Sequence, residues 1–467
     1  MKTILNNNKE FLTKLIAIAS PIIIQSFITS SLNFLNVFMV GQLGENEIAA
    51  VGIGNQVYFL FQMFIFSLAS GTSIFVSQYW GGKKLKDIHS AIGIGLSFTL
   101  SVATVFTFFV MFFTKDIISI YSNNSKVIEF SSPYTKIIAI SFIISAFSYL
   151  YSSVLKSTEN VKFPLFVGLI AIFCNFILNY LLIFGNFGFP RLGINGTAVA
   201  TVTARIIEFV ILLAGSYIKK YPTIAPLRQL FNFTKYDIKQ YLGKTLPVLG
   251  QSMGWSLGFS MYSVIYSNIG IESFAAFNLA DSIEKVCLTL FTGMGIACAI
   301  MVGNKIGAHE NDNARKYSIN FIFITIIFSI IVSSILILMR GHIIHFYNLD
   351  EKTKEYLYKL LLVIGIILMA RAMNIIFMMG ILKAGGDTFF AMIVDVGGIW
   401  LIGLPIAAFS AFSLRLPVYY VVAFAATEEF VKMSLCIYRF SKNRCLKNLT
   451  TQVEDRVLEL DKNELSK

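Results

Sequence analysis

The hexapeptide PIIIQS at residues 21–26 returns as PVLGQS at residues 247–252, a shift of 226 residues. Proline and glutamine are uncommon in an apolar background, so their coincidence carries more weight than matched leucines would. The same shift aligns further residues: Ser30 with Ser256, Gly44 with Gly270, Ala49 and Ala50 with Ala275 and Ala276, and Gly81 with Gly307. At a shift of 227, Leu155 and Lys156 align with Leu382 and Lys383. The chain therefore contains two similar halves.

The composition places both halves in a membrane. Of 467 residues, 56% are hydrophobic and 14% are charged, and the mean hydropathy is +0.70. Soluble domains carry about 25% charged residues, so a soluble protein of this composition would expose large apolar patches. A spanning helix needs about 20 apolar residues, and the length accommodates roughly a dozen spans. These numbers exclude a soluble enzyme. The net charge of +12 comes from basic residues that cluster in the connections and the tail, which membrane topology explains better than a nucleic-acid-binding surface.

Apolar runs separated by polar or Gly/Pro breaks predict the helices. We expect an all-α polytopic membrane protein whose twelve transmembrane helices form two six-helix bundles related by a parallel pseudo-twofold repeat. Parallel repeats of this kind place a substrate site near the bilayer midplane. The predicted helices cover residues 11–40, 46–80, 88–113, 127–155, 162–184, 194–218, 237–267, 272–305, 313–340, 353–382, 388–410 and 416–440.

The predicted domains follow the longest polar connection, residues 219–244. We expect an N-terminal lobe over residues 1–218, a cytoplasmic linker over 219–244, a C-terminal lobe over 237–440 and a cytoplasmic tail over 441–467. Alternate loops carry 25 and 7 basic residues. By the positive-inside rule the loops of the richer set are cytoplasmic. Both termini are therefore expected on the cytoplasmic side of the cell membrane. The five cysteines show no paired spacing and predict free thiols.

Several motifs together resemble the multidrug and toxic compound extrusion (MATE) family of transporters, over about residues 10–440. The resemblance implies two six-helix bundles around a V-shaped cavity and alternating access driven by sodium or proton entry, with organic, often cationic, compounds expelled. No other cofactor is implied. The motifs are Val40–Gly44, Ala49–Gly52, Ser77–Gly81, Asn175–Gly185, Gly193–Ala198 with Ala200 and Thr201, and Lys383–Thr388.

Charged side chains inside predicted spans are the first candidates for function, since each costs at least about 2.5 kcal/mol to insert. Asp395 lies eight residues into the eleventh helix, where relatives often carry an acid. It is a candidate for proton or cation coupling, with a structural ion pair as the alternative. Asp281 and Glu284 share a helix face and could bind a cation or share a proton. Alternatively, Glu284 neutralises Lys285 or Arg371.

Arg371 in the tenth helix needs a carboxylate partner, for which Glu284 and Asp395 are the candidates. Its other assignment is to the substrate cavity. Two further sets are expected to neutralise themselves within one helix, because their members are three or four residues apart. These sets are Arg205 with Glu208, and Glu428 and Glu429 with Lys432.

The sequence departs from the family at two positions. Many relatives have Asp five residues before the glycine of the first helix and Glu five residues after the proline of the seventh helix. Asn36 and Ser252 stand there instead, and neither side chain can release a proton near pH 7. Both could still offer neutral oxygens to sodium, and they stay among the coupling candidates.

Polar and aromatic residues complete the set of substrate-cavity candidates. An aromatic face can receive an organic cation, and amides can bind substrate. Hydrogen bonding between helices is the alternative role for the amides. The candidates are Gln25, Asn33, Asn175, Asn179, Gln251, Trp255 and Tyr262, together with Arg371.

The sequence predicts an antiporter that exports small organic, cationic and amphipathic compounds. No zinc, nucleophile-elbow or phosphate-loop motif is present, so we expect neither an enzyme nor a bound metal beyond sodium. The expected partners are small molecules and the bilayer, with no nucleic acid, and the expected state is a monomer. Two alternatives remain: a lipid-linked saccharide flippase of the same superfamily, which needs a cationic cavity, and a polytopic membrane enzyme.

Overall fold

The computed structural model describes residues 2–345, 347 and 349–450, without the side chains of residues 2–8, 30–38 and 227. This part of the chain contains helices, turns and bends, and no strand. Twelve long helices follow one another, as predicted. They are α1 (Lys2–Gly41), α2 (Glu45–Gly81), α3 (Leu85–Phe112), α4 (Ser125–Ser157), α5 (Lys162–Phe184), α6 (Ile194–Ile218), α7 (Lys235–Ser267), α8 (Ile271–Gly307), α9 (Asn311–His345), α10 (Glu351–Ala384), α11 (Thr388–Ser413) and α12 (Val418–Ala425 and Thr427–Ser441).

The predicted helix boundaries differ from the structure by a few residues at most ends and by more at α1. That helix begins at Lys2 rather than at residue 11, because the polar run at residues 6–10 continues the helix beyond its apolar part. Short helices at Thr114–Ser119, Asn186–Gly188 and Leu227–Leu230 lie in connections. Ten of the long helices in the described residues have the length and composition of membrane spans, and α7 and α12 are not among them.

The internal repeat is visible in the helix boundaries. Four pairs of helices begin 226 residues apart, which is the shift found in the sequence. The pairs are α2 and α8 at Glu45 and Ile271, α3 and α9 at Leu85 and Asn311, α4 and α10 at Ser125 and Glu351, and α5 and α11 at Lys162 and Thr388.

Helix caps repeat with the same shift. Asn124 precedes α4 and accepts a hydrogen bond from Lys126 N at 3.0 Å. Asp350 precedes α10 and accepts from the Thr353 hydroxyl at 2.7 Å and from Thr353 N at 3.1 Å. These two bonds hold the pKa of Asp350 below its usual range. Both helices therefore start at an N-cap side chain.

The two halves differ in helix regularity. Within the described residues, π-helical segments occur at Ile376–Ile381 in α10 and at Gly398–Gly403 and Phe409–Ser413 in α11. The repeat-related helices α4 and α5 are α-helical throughout. Such π segments shift the helix register and are common at functional sites. In addition, α12 is interrupted at Ala426.

The contacts divide the chain into two compact units. One unit consists of Ser20–Val76 and Lys84–Thr245, and its core includes stacked rings of Phe61 and Phe142 at 4.2 Å. The other consists of the described residues of Met1–Ala19, Ser77–Lys83 and Leu246–Lys467. We call these the first and the second unit. The predicted lobe boundaries remain a prediction, and residues 451–467 of the predicted tail lie outside the described residues. The five cysteines are free thiols, as predicted.

Candidate functional site

Six charged side chains of the second unit come together on four helices. We call them the ionic cluster: Glu284 on α8, Arg371 on α10, Asp395 on α11, and Glu428, Glu429 and Lys432 on α12. Glu284, Arg371 and Asp395 lie well inside their helices, whereas Glu428 and Glu429 lie in the first turn of the segment Thr427–Ser441.

Lys432 connects α12 to α11. Its Nζ lies 3.2 Å from Asp395 Oδ1 and 3.4 Å from Glu428 Oε1, and only 3% of the side chain is exposed. The predicted Glu428–Lys432 pair is confirmed. Asp395 has an ion-pair partner from another helix, which its sequence neighbourhood does not reveal.

Arg371 connects α10 to α8 and α12. Its Nη1 donates to Glu284 Oε1, and its Nε lies 3.4 Å from Glu429 Oε1. Asn374, one turn further along α10, donates to Glu429 Oε2 at 2.8 Å and to the Glu429 carbonyl at 2.9 Å. The expected partner Glu284 is thereby confirmed for Arg371, while Asp395 pairs with Lys432 instead.

Helix α7 reaches the cluster through Gln251. Its Nε2 donates to Asp395 Oδ2 at 2.9 Å, so both carboxylate oxygens of Asp395 accept from nitrogen. Tyr262 lies farther along α7, and its hydroxyl approaches Gly403 beside Glu428 Oε2. Two of the predicted cavity residues, Gln251 and Tyr262, therefore lie against the cluster, and a third, Arg371, is a member of it.

Two glycines of a π segment leave space for side chains of the cluster, because they have no Cβ. A Cβ placed on Gly403 would overlap the Tyr262 hydroxyl and the Glu428 carboxylate. A Cβ placed on Gly398 would overlap the Lys432 side chain, with its Cγ only 2.9 Å away. The glycines stand five residues apart at either end of Gly398–Gly403. Any larger side chain there would push α12 away from α11.

The charges of the cluster do not balance. Four carboxylates face one guanidinium and one ammonium group within the cluster. A second ammonium group, that of the buried Lys383 on α10, interacts electrostatically with Asp395, so full ionisation leaves one negative charge in excess. An uncompensated charge away from water is costly. The arrangement can therefore bind cations or protons in addition to its own basic side chains.

Asp281 and Glu284 do not act as a pair in this arrangement. Asp281 Oδ2 lies 2.6 Å from Lys285 Nζ, whose side chain is 62% exposed, whereas Glu284 bonds Arg371. The alternative pairing of Glu284 with Lys285 is wrong, because Lys285 sits one helical turn after Asp281 and turns toward it.

The first unit repeats part of the site without its acid. Lys156 Nζ donates to Gln25 Oε1 at 3.1 Å, and both residues correspond to Lys383 and Gln251 in the repeat. At a shift of 227, Gly168 corresponds to Asp395, and a Cβ built on Gly168 would lie 2.7 Å from Gln25 Nε2. Arg205 and Glu208 form the predicted pair at 2.6 Å.

The remaining candidates lie apart from the cluster or outside the described residues. Asn179 donates to Asn175 Oδ1 at 3.2 Å, and Asn175 donates to Thr201 Oγ1 of α6 at 3.3 Å, which is helix-to-helix bonding. Ser252 donates to Val248 O of its own helix at 3.0 Å. Trp255 is 43% exposed and stacks on a neighbouring phenylalanine. The side chains of Asn33 and Asn36 lie outside the described residues.

Sequence reasoning missed Asn374, and it expected Glu429 to be neutralised within α12, whereas Glu429 pairs with Arg371 and Asn374 of α10. The bond between Asn374 and Glu429 joins two helices across 55 residues, which spacing within one helix does not reveal. The sequence around Lys432 did contain one signal. Two acids precede this single lysine within four residues, so one carboxylate needs a partner from another helix. The described residues contain no group of three or more His, Cys, Asp or Glu side chains arranged to hold a metal.

Comparison with known proteins places the chain among transporters. The MatE family profile matches residues 21–181 and 247–409, once in each repeat. "Probable multidrug resistance protein YoeA" of Bacillus subtilis is 26% identical over 401 residues, covering 83% of this chain and 84% of that protein. "Multidrug resistance protein MdtK" of Edwardsiella ictaluri is 24% identical over 400 residues, covering 84% and 86%.

Solved structures share the fold. The Vibrio cholerae MATE transporter VcmN in its bent form has a TM-score of 0.86 at 16% identity, with 94% of this chain and 98% of that chain covered. A MOP superfamily transporter from Pyrococcus furiosus has a TM-score of 0.83 at 16% identity, with 92% and 95% covered. The predicted twelve-helix fold is confirmed.

Proposed function

Because the chain belongs to the multidrug and toxic compound extrusion family, we propose that this multi-pass membrane protein is a secondary active antiporter. It exports small organic, cationic and amphipathic compounds by alternating access, driven by an inward gradient of protons or sodium. It works as a single chain in the cell membrane, with both termini in the cytoplasm. Relatives in the comparison carry multidrug-resistance names.

The excess of negative charge at the ionic cluster supports this proposal most directly. One cationic equivalent or more is needed to neutralise the cluster, and a proton, a sodium ion and an organic cation compete for the same negative charge. Competition of this kind is what antiport requires, because each species then binds only after the other leaves.

Asp395 is the proposed coupling carboxylate. Its two oxygens accept from Lys432 and Gln251, and Lys432 has a second acceptor in Glu428. When Asp395 takes up a proton or a sodium ion, Lys432 remains paired with Glu428 and the cluster loses one negative charge. The side chain thus changes its charge without leaving an ammonium group unpaired.

The geometry favours a proton over sodium at Asp395. Sodium needs several oxygen ligands, whereas nitrogen donors already occupy both oxygens of this carboxylate. A proton needs only one of them. Glu428 beside the Tyr262 hydroxyl at Gly403 offers a second place for a proton.

Transport in everted membrane vesicles tests the proposal. Vesicles containing the protein should accumulate a fluorescent organic cation when the vesicle lumen is made more acidic than the medium. A parallel experiment with a higher sodium concentration in the lumen than in the medium identifies the coupling ion. We expect Asp395→Asn to lower this accumulation at least 10-fold. Asp281→Asn is the matched control, since it alters an acid paired with an exposed lysine.

Absence of accumulation under both gradients would reject the antiport proposal. Equal accumulation by Asp395→Asn and wild type would retain antiport and remove Asp395 from it. The flippase alternative is disfavoured, because its phosphate-bearing cargo needs basic side chains where the ionic cluster has an excess of acids.

A further inference from the structure

A short turn follows the end of α12. The next six residues, Cys445–Thr450, pack against the ends of other helices of the second unit. We call this segment the strap. Three of its residues are at most 1% exposed, namely Cys445, Leu449 and Thr450. The residues between Cys445 and Leu449 are half-buried or exposed. Asn448 Oδ1 accepts from Thr450 N at 2.8 Å and fixes the turn.

Gln78 at the end of α2 holds the strap to α10. Its Nε2 donates to the Ala384 carbonyl at 2.6 Å and to the Lys447 carbonyl at 3.1 Å. Its Oε1 accepts from Leu449 N at 2.7 Å. The side chain is fully buried, so one amide joins α2, α10 and the strap.

Asn448 holds the strap to the end of α8. Its Nδ2 donates to the Ile306 carbonyl at 2.8 Å, and a ring nitrogen of His309, just beyond α8, lies 3.3 Å away. The Cys445 carbonyl lies so close to Gly385 that a Cβ on this glycine would overlap it. The strap therefore touches the ends of α2, α8 and α10 together.

Beneath the strap, α2 and α8 cross at backbone contact. A Cβ on Gly81 would overlap the backbone of Asn304, and a Cβ on Gly307 would overlap the backbone of Gln78. In the repeat, Gly81 corresponds to Gly307 and Gln78 corresponds to Asn304. The two contacts are therefore equivalent, and the crossing follows the internal repeat. Separating the two helix ends would break both contacts and the bridge that Gln78 and Asn448 form through the strap.

We propose that the strap is a latch on the crossing of α2 and α8. It holds the two helix ends together, and it must release before the transporter can open on the membrane face where α2, α8, α10 and α12 end. This inference rests on the alternating access of the proposed function. The strap is suited to release, because the side-chain amides of Gln78 and Asn448 hold it through hydrogen bonds that water can replace.

A disulfide trap tests the latch. A Cβ built on Gly82 lies 3.7 Å from Thr450 Cγ2, which is within the reach of a disulfide between neighbouring backbones. In a variant whose five native cysteines are replaced by serine or alanine, Gly82→Cys with Thr450→Cys should cross-link on mild oxidation. We expect transport to fall at least 10-fold and to return after reduction, with Thr450→Cys alone unaffected by either treatment.

Complete cross-linking with unchanged transport would overturn the latch, because the strap would then stay in place during the cycle. A failure to cross-link would also overturn it, because the contact would be absent. Failure of the proposed function looks different: the reduced variant and the wild type would both lack gradient-driven transport.

Labelling provides a readout that is independent of transport. Ser77 at the crossing is 2% exposed, and in the cysteine-free background Ser77→Cys should react slowly with a membrane-impermeant maleimide. Adding Asn448→Ala should raise this rate several-fold, because it removes the bonds to Ile306 and His309. Arg444→Ala, an exposed change just before the strap, is the control and should leave the rate unchanged. Equal rates in all three proteins would contradict the latch.

Discussion

Lys432 decides the balance of the ionic cluster at the scale of single residues. Its ammonium group is 3.2 Å from Asp395 and 3.4 Å from Glu428, and it is almost completely buried. Removing one member of a buried ion pair leaves its partner as an uncompensated charge, which costs far more than the pair contributes. The lysine is therefore essential to both carboxylates even if its net contribution to stability is small.

Lys432→Met should lower the free energy of unfolding by about 3 kcal/mol. Adding Asp395→Asn to this variant should restore part of the loss, because one stranded carboxylate becomes neutral. Lys285→Met is the control, since its ion pair is exposed and is worth about 1 kcal/mol or less. Unfolding of the purified proteins in detergent measures all three. Equal losses for the two lysine variants would contradict the cluster as described.

At the scale of elements, α11 differs from its repeat partner α5 in two π segments. The segment Gly398–Gly403 presents a glycine at each end, where Lys432 and the Tyr262 and Glu428 side chains approach α11 most closely. The irregular turn and the two glycines therefore serve one purpose, which is to bring α12 against α11 at the cluster.

Gly403→Ala tests this role of the π segment. The added methyl group would overlap the Tyr262 hydroxyl and the Glu428 carboxylate, so we expect a loss of stability of about 1–3 kcal/mol and weaker transport. Gly397→Ala is the matched control, because nothing lies within 4 Å of its Cβ position. It should be neutral or slightly stabilising, since alanine favours a helix over glycine. Thermal unfolding of both variants in detergent makes the comparison, and equal behaviour would refute the tight approach.

The sequence was sufficient for most elements and insufficient for their irregularities. Long apolar runs and the 226-residue shift predict the order and number of helices, because a membrane span leaves a strong signal in composition. The π segments leave no signal in hydropathy. The one in α10 is marked only by the repeat shift, which is 226 at the start of α10 and 227 at Lys383, beyond Ile376–Ile381. The partner of Asp395 was missed for a related reason: Lys432 lies 37 residues later on another helix, and sequence spacing reveals only pairs within one helix.

At the scale of the whole molecule, the two repeats share a polar framework but differ in charge. Gln25 and Lys156 in the first unit correspond to Gln251 and Lys383 in the second. Only the second unit adds an acid, Asp395, where the first has Gly168. We therefore expect ion coupling to reside in the second unit, in agreement with Asn36 standing in the first unit where relatives carry an acid.

Ion release on substrate binding is the most direct test of this account. A fluorescent organic cation is added to the purified protein in weakly buffered detergent solution, its binding is followed by fluorescence anisotropy, and released protons and sodium are measured with a pH indicator and a sodium electrode. The account predicts release from the wild type and from Gln25→Ala, and none from Asp395→Asn. Undiminished release from Asp395→Asn, or release abolished by Gln25→Ala instead, would contradict it.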